Sequence, residues 1–73
     1  MKKNFTVGEL AEVITNGNER IVRIMLNDTG AVDPKLDENI TNPNEIVSRS
    51  AIIDLVALRA GDIVGRRAAR LLS

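Results

Sequence analysis

The first apolar residues of the chain recur with the spacing of one helix face. They lie three, four and seven positions apart, at Val7, Leu10, Ala11 and Ile14. A capping box precedes them, because the segment TVGE at residues 6–9 places a glutamate three positions after a threonine. The Asn-Gly pair at residues 16–17 favours the left-handed conformation that ends a helix. The pattern therefore predicts a helix that begins at residue 7, although Asn-Gly also suits a hairpin turn between residues 12–15 and 18–26.

A second helix is predicted from Asn18, whose side chain can cap it. Its inner face would carry Ile21, Ile24 and Met25, and its outer face Arg20, Arg23 and Asn27. Thr29-Gly30 ends this helix. Residues 31–42 are polar and interrupted by proline, so they suit a short turn or a small wing rather than a long helix.

The C-terminal half carries the densest apolar pattern. Asn42 and Pro43 are a cap residue and a first-turn proline, and they predict a helix start at this point. Apolar residues nearly encircle the helix around residues 52–58, which predicts a central, buried helix. Gly61-Asp62 is either a break between two helices or a kink within one. A break is favoured, because Gly61 can end one helix and Asp62 can cap the next.

These elements predict an all-α fold in a single helix-turn-helix-like domain, residues 1–73. The domain would consist of a helix-turn-helix pair followed by a long or Gly-broken C-terminal helix, with room for a small wing at residues 31–42. No internal repeat is evident in the sequence.

The composition limits the available chemistry. The chain has no Cys and no His, so it offers no zinc site, thiol nucleophile, disulfide or imidazole base. We therefore expect no enzyme and no cofactor or metal. No apolar run reaches the length of a membrane span, and no signal-like segment follows the first residues. We expect a cytoplasmic protein without a membrane partner.

Charge is balanced overall but not along the chain. Ten basic and ten acidic residues give a formal net charge of zero. Acidic residues outnumber basic ones in the first half, and arginines outnumber acidic residues in the second. A local contact with phosphate or an acidic partner is expected from Lys2, Lys3, Arg66, Arg67 and Arg70.

The predicted helix pair has the layout of a DNA-binding helix-turn-helix. Its second helix would present Asn18, Arg20, Arg23 and Asn27, residue types that bond to guanine or adenine edges. The segments TVGELA at 6–11, GAVDP at 30–34 and LVALRAGDI at 55–63 resemble parts of the MerR-type regulators and related small winged-helix proteins. This resemblance implies a DNA-binding fold. The opening segment is also similar to the N-terminal module of bacterial translation initiation factor 2, which implies no DNA reading. The alternative for the four residues is a solvated helix face.

Small residues recur at every fourth position late in the chain, at Ala57, Gly61, Gly65 and Ala69. On a continuous helix they would form a smooth stripe that permits close approach of a second helix. The stripe therefore predicts tight helix packing or a homo-oligomer interface. The alternative is that Gly61 simply ends a helix.

Two shorter segments carry other resemblances. The segment SRSAII at 48–53 resembles the start of the second helix in ribbon-helix-helix repressors, with residues 20–26 as a ribbon strand. That family dimerises through its ribbon and reads the major groove with it. The segment DTGA at 28–31 matches the catalytic loop of retroviral-type aspartic proteases. A helix end closed by Gly30 explains the same residues more simply.

These observations together predict a small non-enzymatic binding module. The leading hypothesis is a DNA-binding regulator or accessory factor of phage or plasmid type. The alternative is a protein-interaction or assembly subunit, either part of a larger particle or a factor that docks on the translation or transcription machinery. The expected partners are DNA, a second copy of the chain in a homo-oligomer, or another protein.

Overall fold

Four helices and two short strands make up the computed structural model, which describes residues 2–73. In chain order they are β1 (Asn4–Thr6), α1 (Val7–Ile14), α2 (Glu19–Asp28), β2 (Ile46–Ser48), α3 (Arg49–Leu58) and α4 (Ile63–Leu72). The predicted mainly helical fold is confirmed. The prediction of an all-α fold is wrong in one respect, because β1 and β2 pair as a two-stranded antiparallel sheet.

The first helix forms where the local signals predict it. The Thr6 hydroxyl accepts a hydrogen bond from the Glu9 backbone N–H at 3.0 Å, and the Glu9 carboxylate accepts one from the Thr6 N–H at 3.4 Å. Its four apolar positions, Val7, Leu10, Ala11 and Ile14, are all buried. The chain then turns through two left-handed residues at positions 16 and 17, as the helix prediction required.

Loss of the Thr6 side chain should destabilise the fold through this helix start. We expect Thr6→Ala to lower the free energy of unfolding by about 1 kcal/mol, the usual effect of deleting an N-cap oxygen. Urea unfolding followed by far-UV circular dichroism measures it. Thr41→Ala is the matched control, because Thr41 is exposed in the loop before β2 and should unfold like the wild type. Equal midpoints for the two variants would contradict the role of the cap.

The second helix forms as predicted, but it buries a different face. Val22, Arg23 and Leu26 are buried, whereas Ile21 is 39% exposed. The prediction that Arg23 lies on the outer face is therefore wrong. The apolar residues at positions 21, 22, 24, 25 and 26 suit more than one helix face. Which face of α2 is buried depends on the residues that the rest of the chain packs against it.

The segment between α2 and β2 contains neither a wing nor a helix start. Residues 29–45 form turns and irregular structure, so the prediction of a helix from Asn42-Pro43 is wrong. The segment instead passes the beginning of α1, where the Pro43 carbonyl accepts the Gly8 N–H at 2.9 Å. A Cβ on Gly8 would come within 2.9 Å of the Pro43 Cβ. Pro43 therefore lies in an irregular connection that packs closely against Gly8.

The C-terminal apolar segment is two helices rather than one. The third helix ends at Leu58, and Asp62 caps the fourth by accepting the Val64 N–H at 3.2 Å. The favoured break at Gly61 is thereby confirmed. The prediction of a buried helix around residues 52–58 holds on one side only, because Ile53 is 49% exposed and Leu58 is 54% exposed.

The order strand, helix, helix occurs twice, although no repeat was evident in the sequence. Both strands run directly into a helix that is capped by a hydroxyl residue, Thr6 in the first half and Ser48 in the second. The halves interlock, because α1 contacts both α2 and α4 while α3 contacts both α4 and α2. One core results. It contains Phe5, Val7, Leu10, Ala11, Ile14, Val22, Leu26, Leu36, Val47, Ala51, Ile52, Leu55 and Ala68.

Candidate nucleic-acid interface

The two strands form a short ribbon with one face on the core and one face in solvent. Phe5 pairs with Val47 at its centre, and both side chains are buried. Alternation along each strand directs the neighbouring residues to the opposite face. This outer face of the ribbon consists of Asn4, Thr6, Ile46 and Ser48, of which only Thr6 is partly buried.

The outer face combines an amide, two hydroxyls and one large apolar side chain. Asn4 makes no side-chain hydrogen bond within residues 2–73, and Ile46 is 59% exposed. The hydroxyls of Thr6 and Ser48 accept hydrogen bonds from the Glu9 and Ala51 N–H groups. The Thr6 hydroxyl still has a proton to donate, whereas the Ser48 hydroxyl also shares a hydrogen bond with the Ser50 hydroxyl at 3.0 Å. The ribbon therefore presents amide and hydroxyl donors beside an apolar contact.

The ribbon extends by one backbone bond beyond each strand end. The Val7 N–H donates to the Glu45 carbonyl at 2.9 Å, and the Arg49 N–H donates to the Lys3 carbonyl at 2.6 Å. These bonds continue the same register in both directions. They also satisfy the first N–H groups of α1 and α3, which have no partner inside their own helices.

Both ends of the chain meet at Arg49, at one end of the ribbon. The Arg49 guanidinium donates to the carbonyl of Lys2 at 3.2 Å and to the carbonyl of Leu72 at the end of α4. This brings the first residues of the chain to the last turn of α4. We call Lys2, Lys3, Arg49, Arg66, Arg67 and Arg70 the basic group.

Within residues 2–73, the arginines of α4 have no acidic partner. Arg66 and Arg70 are exposed, Arg67 is partly buried, and none of the three lies within 4.0 Å of a carboxylate. Lys2 differs, because its ammonium group contacts the Glu9 carboxylate at 2.6 Å. That hydrogen bond lowers the pKa of Glu9 below its usual value, so Glu9 stays charged and offsets Lys2. Within residues 2–73, Lys2 is therefore the one member of the basic group whose charge is offset by a carboxylate.

The four residues of α2 predicted to read DNA do not form one exposed surface. Asn18 caps the helix by accepting the Ile21 N–H at 3.1 Å. The Asn27 amide holds the loop, since its oxygen accepts the Leu36 N–H at 3.0 Å and its nitrogen donates to the Leu36 carbonyl. Only Arg20 is exposed and makes no hydrogen bond or ion pair within residues 2–73.

Arg23, another predicted DNA-reading residue, is fully buried and makes contacts within the domain. Its Nη1 atom pairs with the Glu45 carboxylate, and its Nη2 atom donates to the Asn42 carbonyl at 2.9 Å. The exposed fraction of the arginine side chain is 0%, against 34% for the glutamate. Arg23 thus attaches the long connection to α2 just before β2 begins.

The predicted small-residue stripe does not lie on one helix. Ala57 belongs to α3, Gly61 to the turn, and Gly65 and Ala69 to α4. Only Gly65 is buried, and a Cβ there would lie 2.0 Å from the Arg59 carbonyl oxygen. Gly65 thus lies against the backbone at the end of α3, and the other three small residues show no such close approach.

The ribbon was missed in the sequence because its strands are only three residues long. The resemblance to ribbon-helix-helix repressors placed a strand at residues 20–26, and that prediction is wrong because this segment is α2. A usable signal was present. The segments NFT and IVS each place an apolar residue just before a hydroxyl residue that opens a helical pattern.

Comparison with known proteins provides no family assignment. No protein-family model matches the chain, and neither the curated proteins nor the solved structures include a match. Residues 2–73 contain no metal-binding cluster of acidic residues. None of the helices in this part of the chain has the length and apolar character that a membrane span requires.

Proposed function

We propose that this domain binds duplex DNA by placing its ribbon in the major groove. The observation that carries the proposal is the outer face of the ribbon, which presents Asn4, Thr6, Ile46 and Ser48. At one end of this ribbon Arg49 joins the first residues of the chain to the end of α4. The major groove of B-DNA admits a two-stranded ribbon as well as a helix. The ribbon, rather than α2, is then the reading element.

The side chains of the outer face match contacts that distinguish base pairs. An asparagine amide bonds bidentately to adenine, a serine or threonine hydroxyl bonds to several base edges, and an apolar side chain contacts the thymine methyl group. Asn4 and Ile46 would therefore favour a site rich in A·T pairs. The repeated order strand, helix, helix resembles the repressor family that reads the groove with a ribbon, and this supports the same use.

Phosphate contacts would come from the basic group. Phosphate neutralisation supplies most of the affinity in protein–DNA complexes and makes it salt-dependent. With a net charge of zero, attraction to DNA depends on Lys3 and the arginines of α4. We expect regulatory or accessory binding by a small module rather than strong non-specific coating of DNA.

A DNA titration at several salt concentrations tests this proposal. Labelled duplexes of about 20 base pairs, one A·T-rich and one G·C-rich, are titrated with the wild type and with single variants. We expect Arg70→Ala to weaken binding to both duplexes and to reduce the salt slope by about one unit. Asn4→Ala should instead reduce the preference for the A·T-rich duplex, by about 5- to 100-fold for a lost bidentate contact.

Two matched controls separate these effects from general changes in charge or fold. Lys35→Ala removes one exposed positive charge from the loop before β2, and Asn39→Ala removes one exposed side-chain amide from the same loop. Both should bind like the wild type. The proposal is wrong if the wild type does not bind either duplex at low salt, or if Lys35→Ala weakens binding as much as Arg70→Ala.

An assembly role is the second candidate, and the exposed apolar residues favour it. Ile53 is 49% exposed on α3, Leu58 is 54% exposed at its end, and Ile63 is 56% exposed at the start of α4. Light scattering on the samples used for the titration separates the two functions. A stable mass above that of one chain, without DNA binding, would support assembly over DNA recognition.

A further inference from the structure

A cavity of about 350 Å³ lies beside the ribbon, between β2 and the loop that precedes it. Its walls combine consecutive residues of the ribbon with one stretch of loop. They are Asn4, Ala31, Val32, Asp33, Pro34, Leu36, Glu45, Ile46, Val47, Ser48, Ser50 and Ala51. Of β1, only Asn4 takes part. The cavity therefore lies on the β2 side of the ribbon.

The backbone of β2 has unused hydrogen-bonding groups at this position. In an antiparallel pair, successive residues direct their N–H and C=O groups alternately toward and away from the partner strand. The bonds of Glu45 and Arg49 to β1 fix this alternation. The N–H and C=O of Ile46 consequently point away from β1, and within residues 2–73 no other segment pairs with them.

The charges around the cavity are of one sign. Asp33 is exposed and forms no ion pair within residues 2–73. Glu45 is engaged with Arg23 through one carboxylate oxygen. None of the twelve lining residues is basic. The remaining walls include the apolar residues Val32, Pro34 and Leu36.

We propose that this cavity and the free edge of β2 bind an extended peptide segment that carries a basic side chain. The peptide would add a strand to the ribbon, with its main chain bonded to Ile46, because strand addition obtains its affinity from main-chain groups and its specificity from side-chain pockets. An apolar side chain would enter the cavity. A lysine or arginine two positions away would lie on the same side of the added strand and meet Asp33.

This inference does not rest on DNA binding. The DNA proposal uses the outer face of the ribbon and α4, whereas the peptide uses the β2 edge and the loop at residues 31–36. The two sites share Asn4, Ile46 and Ser48. A chain that fails to bind DNA can still bind the peptide. The short edge provides few main-chain bonds, so we expect dissociation constants on the order of 100 μM.

Selection from a random octapeptide library on the folded wild-type chain provides the probe. We expect enriched peptides to alternate apolar and polar residues and to contain at least one lysine or arginine. An enriched peptide is then titrated into ¹⁵N-labelled protein. The amide signals of residues 31–36 and 45–51 should shift, and N-methylation of the central backbone amides of the peptide should abolish binding.

Two variants of exposed residues test the location directly. Ala31→Trp should fill the cavity mouth and reduce affinity at least tenfold, whereas Ala60→Trp in the exposed α3–α4 turn should bind like the wild type. Asp33→Asn should weaken the basic peptide at least threefold, and Asp28→Asn should not. The proposal is wrong if no peptide is enriched, if the shifted amides lie elsewhere, or if Ala31→Trp binds normally.

Discussion

Arg23→Ala should lower the free energy of unfolding by about 3 kcal/mol. The substitution leaves the Glu45 carboxylate without its partner, removes the bond to the Asn42 carbonyl and opens a void at a fully buried position. Breaking a buried ion pair costs about 3–5 kcal/mol, and the partial exposure of Glu45 places this case at the lower end. A domain of this size has roughly 4–10 kcal/mol of stability in total. Urea unfolding at neutral pH measures the loss.

Two further variants show whether the ion pair or the packing is responsible. Arg20→Ala removes an exposed arginine from the same helix and should change stability by less than about 0.5 kcal/mol. Arg23→Met retains much of the buried volume, so its loss should be smaller than that of Arg23→Ala. Equal unfolding midpoints for Arg23→Ala and Arg20→Ala would contradict the buried position of Arg23.

Gly65→Ala should destabilise the fold by about 3 kcal/mol or more. A Cβ at this position would lie 2.0 Å from the Arg59 carbonyl oxygen and 2.7 Å from its carbon. Both atoms belong to the backbone, so the start of α4 would have to move away from the end of α3. Overpacking of this kind costs about 1–3 kcal/mol and sometimes more. The gain of about 1 kcal/mol in helix propensity does not offset it.

Gly61→Ala is the matched control for this prediction. Gly61 lies in the turn before α4, and a Cβ added there would meet no atom within 4 Å and no left-handed backbone. Its replacement should leave the thermal unfolding midpoint unchanged or slightly raised. A Gly65→Ala chain as stable as the wild type would mean that the two helices are not in this close contact. Light scattering excludes a change of oligomeric state as the cause.

The candidate site was only partly accessible from the sequence. Lys3, Arg66 and Arg70 were predicted as contacts for phosphate, because basic residues cluster near both ends of the sequence. The meeting of the first residues of the chain with the end of α4 was not predictable, since it depends on Arg49 bonding to backbone carbonyls at both ends. The reading residues were assigned to α2 because asparagine and arginine on a short helix suit base edges. The same residue types also cap helices, hold loops and form ion pairs.

The sequence by itself determined those features that depend on neighbours a few residues apart. The capping box at Thr6, the left-handed turn at residues 16–17 and the break at Gly61 all follow from local hydrogen bonding and backbone preference. Tertiary structure decided the features that depend on distant partners. The ribbon joins segments about 42 positions apart, and three-residue strands have too little local preference to be recognised without that pairing. The burial of Arg23 likewise depends on Glu45, because a buried guanidinium needs a distant acid and carbonyl to bond to its Nη atoms.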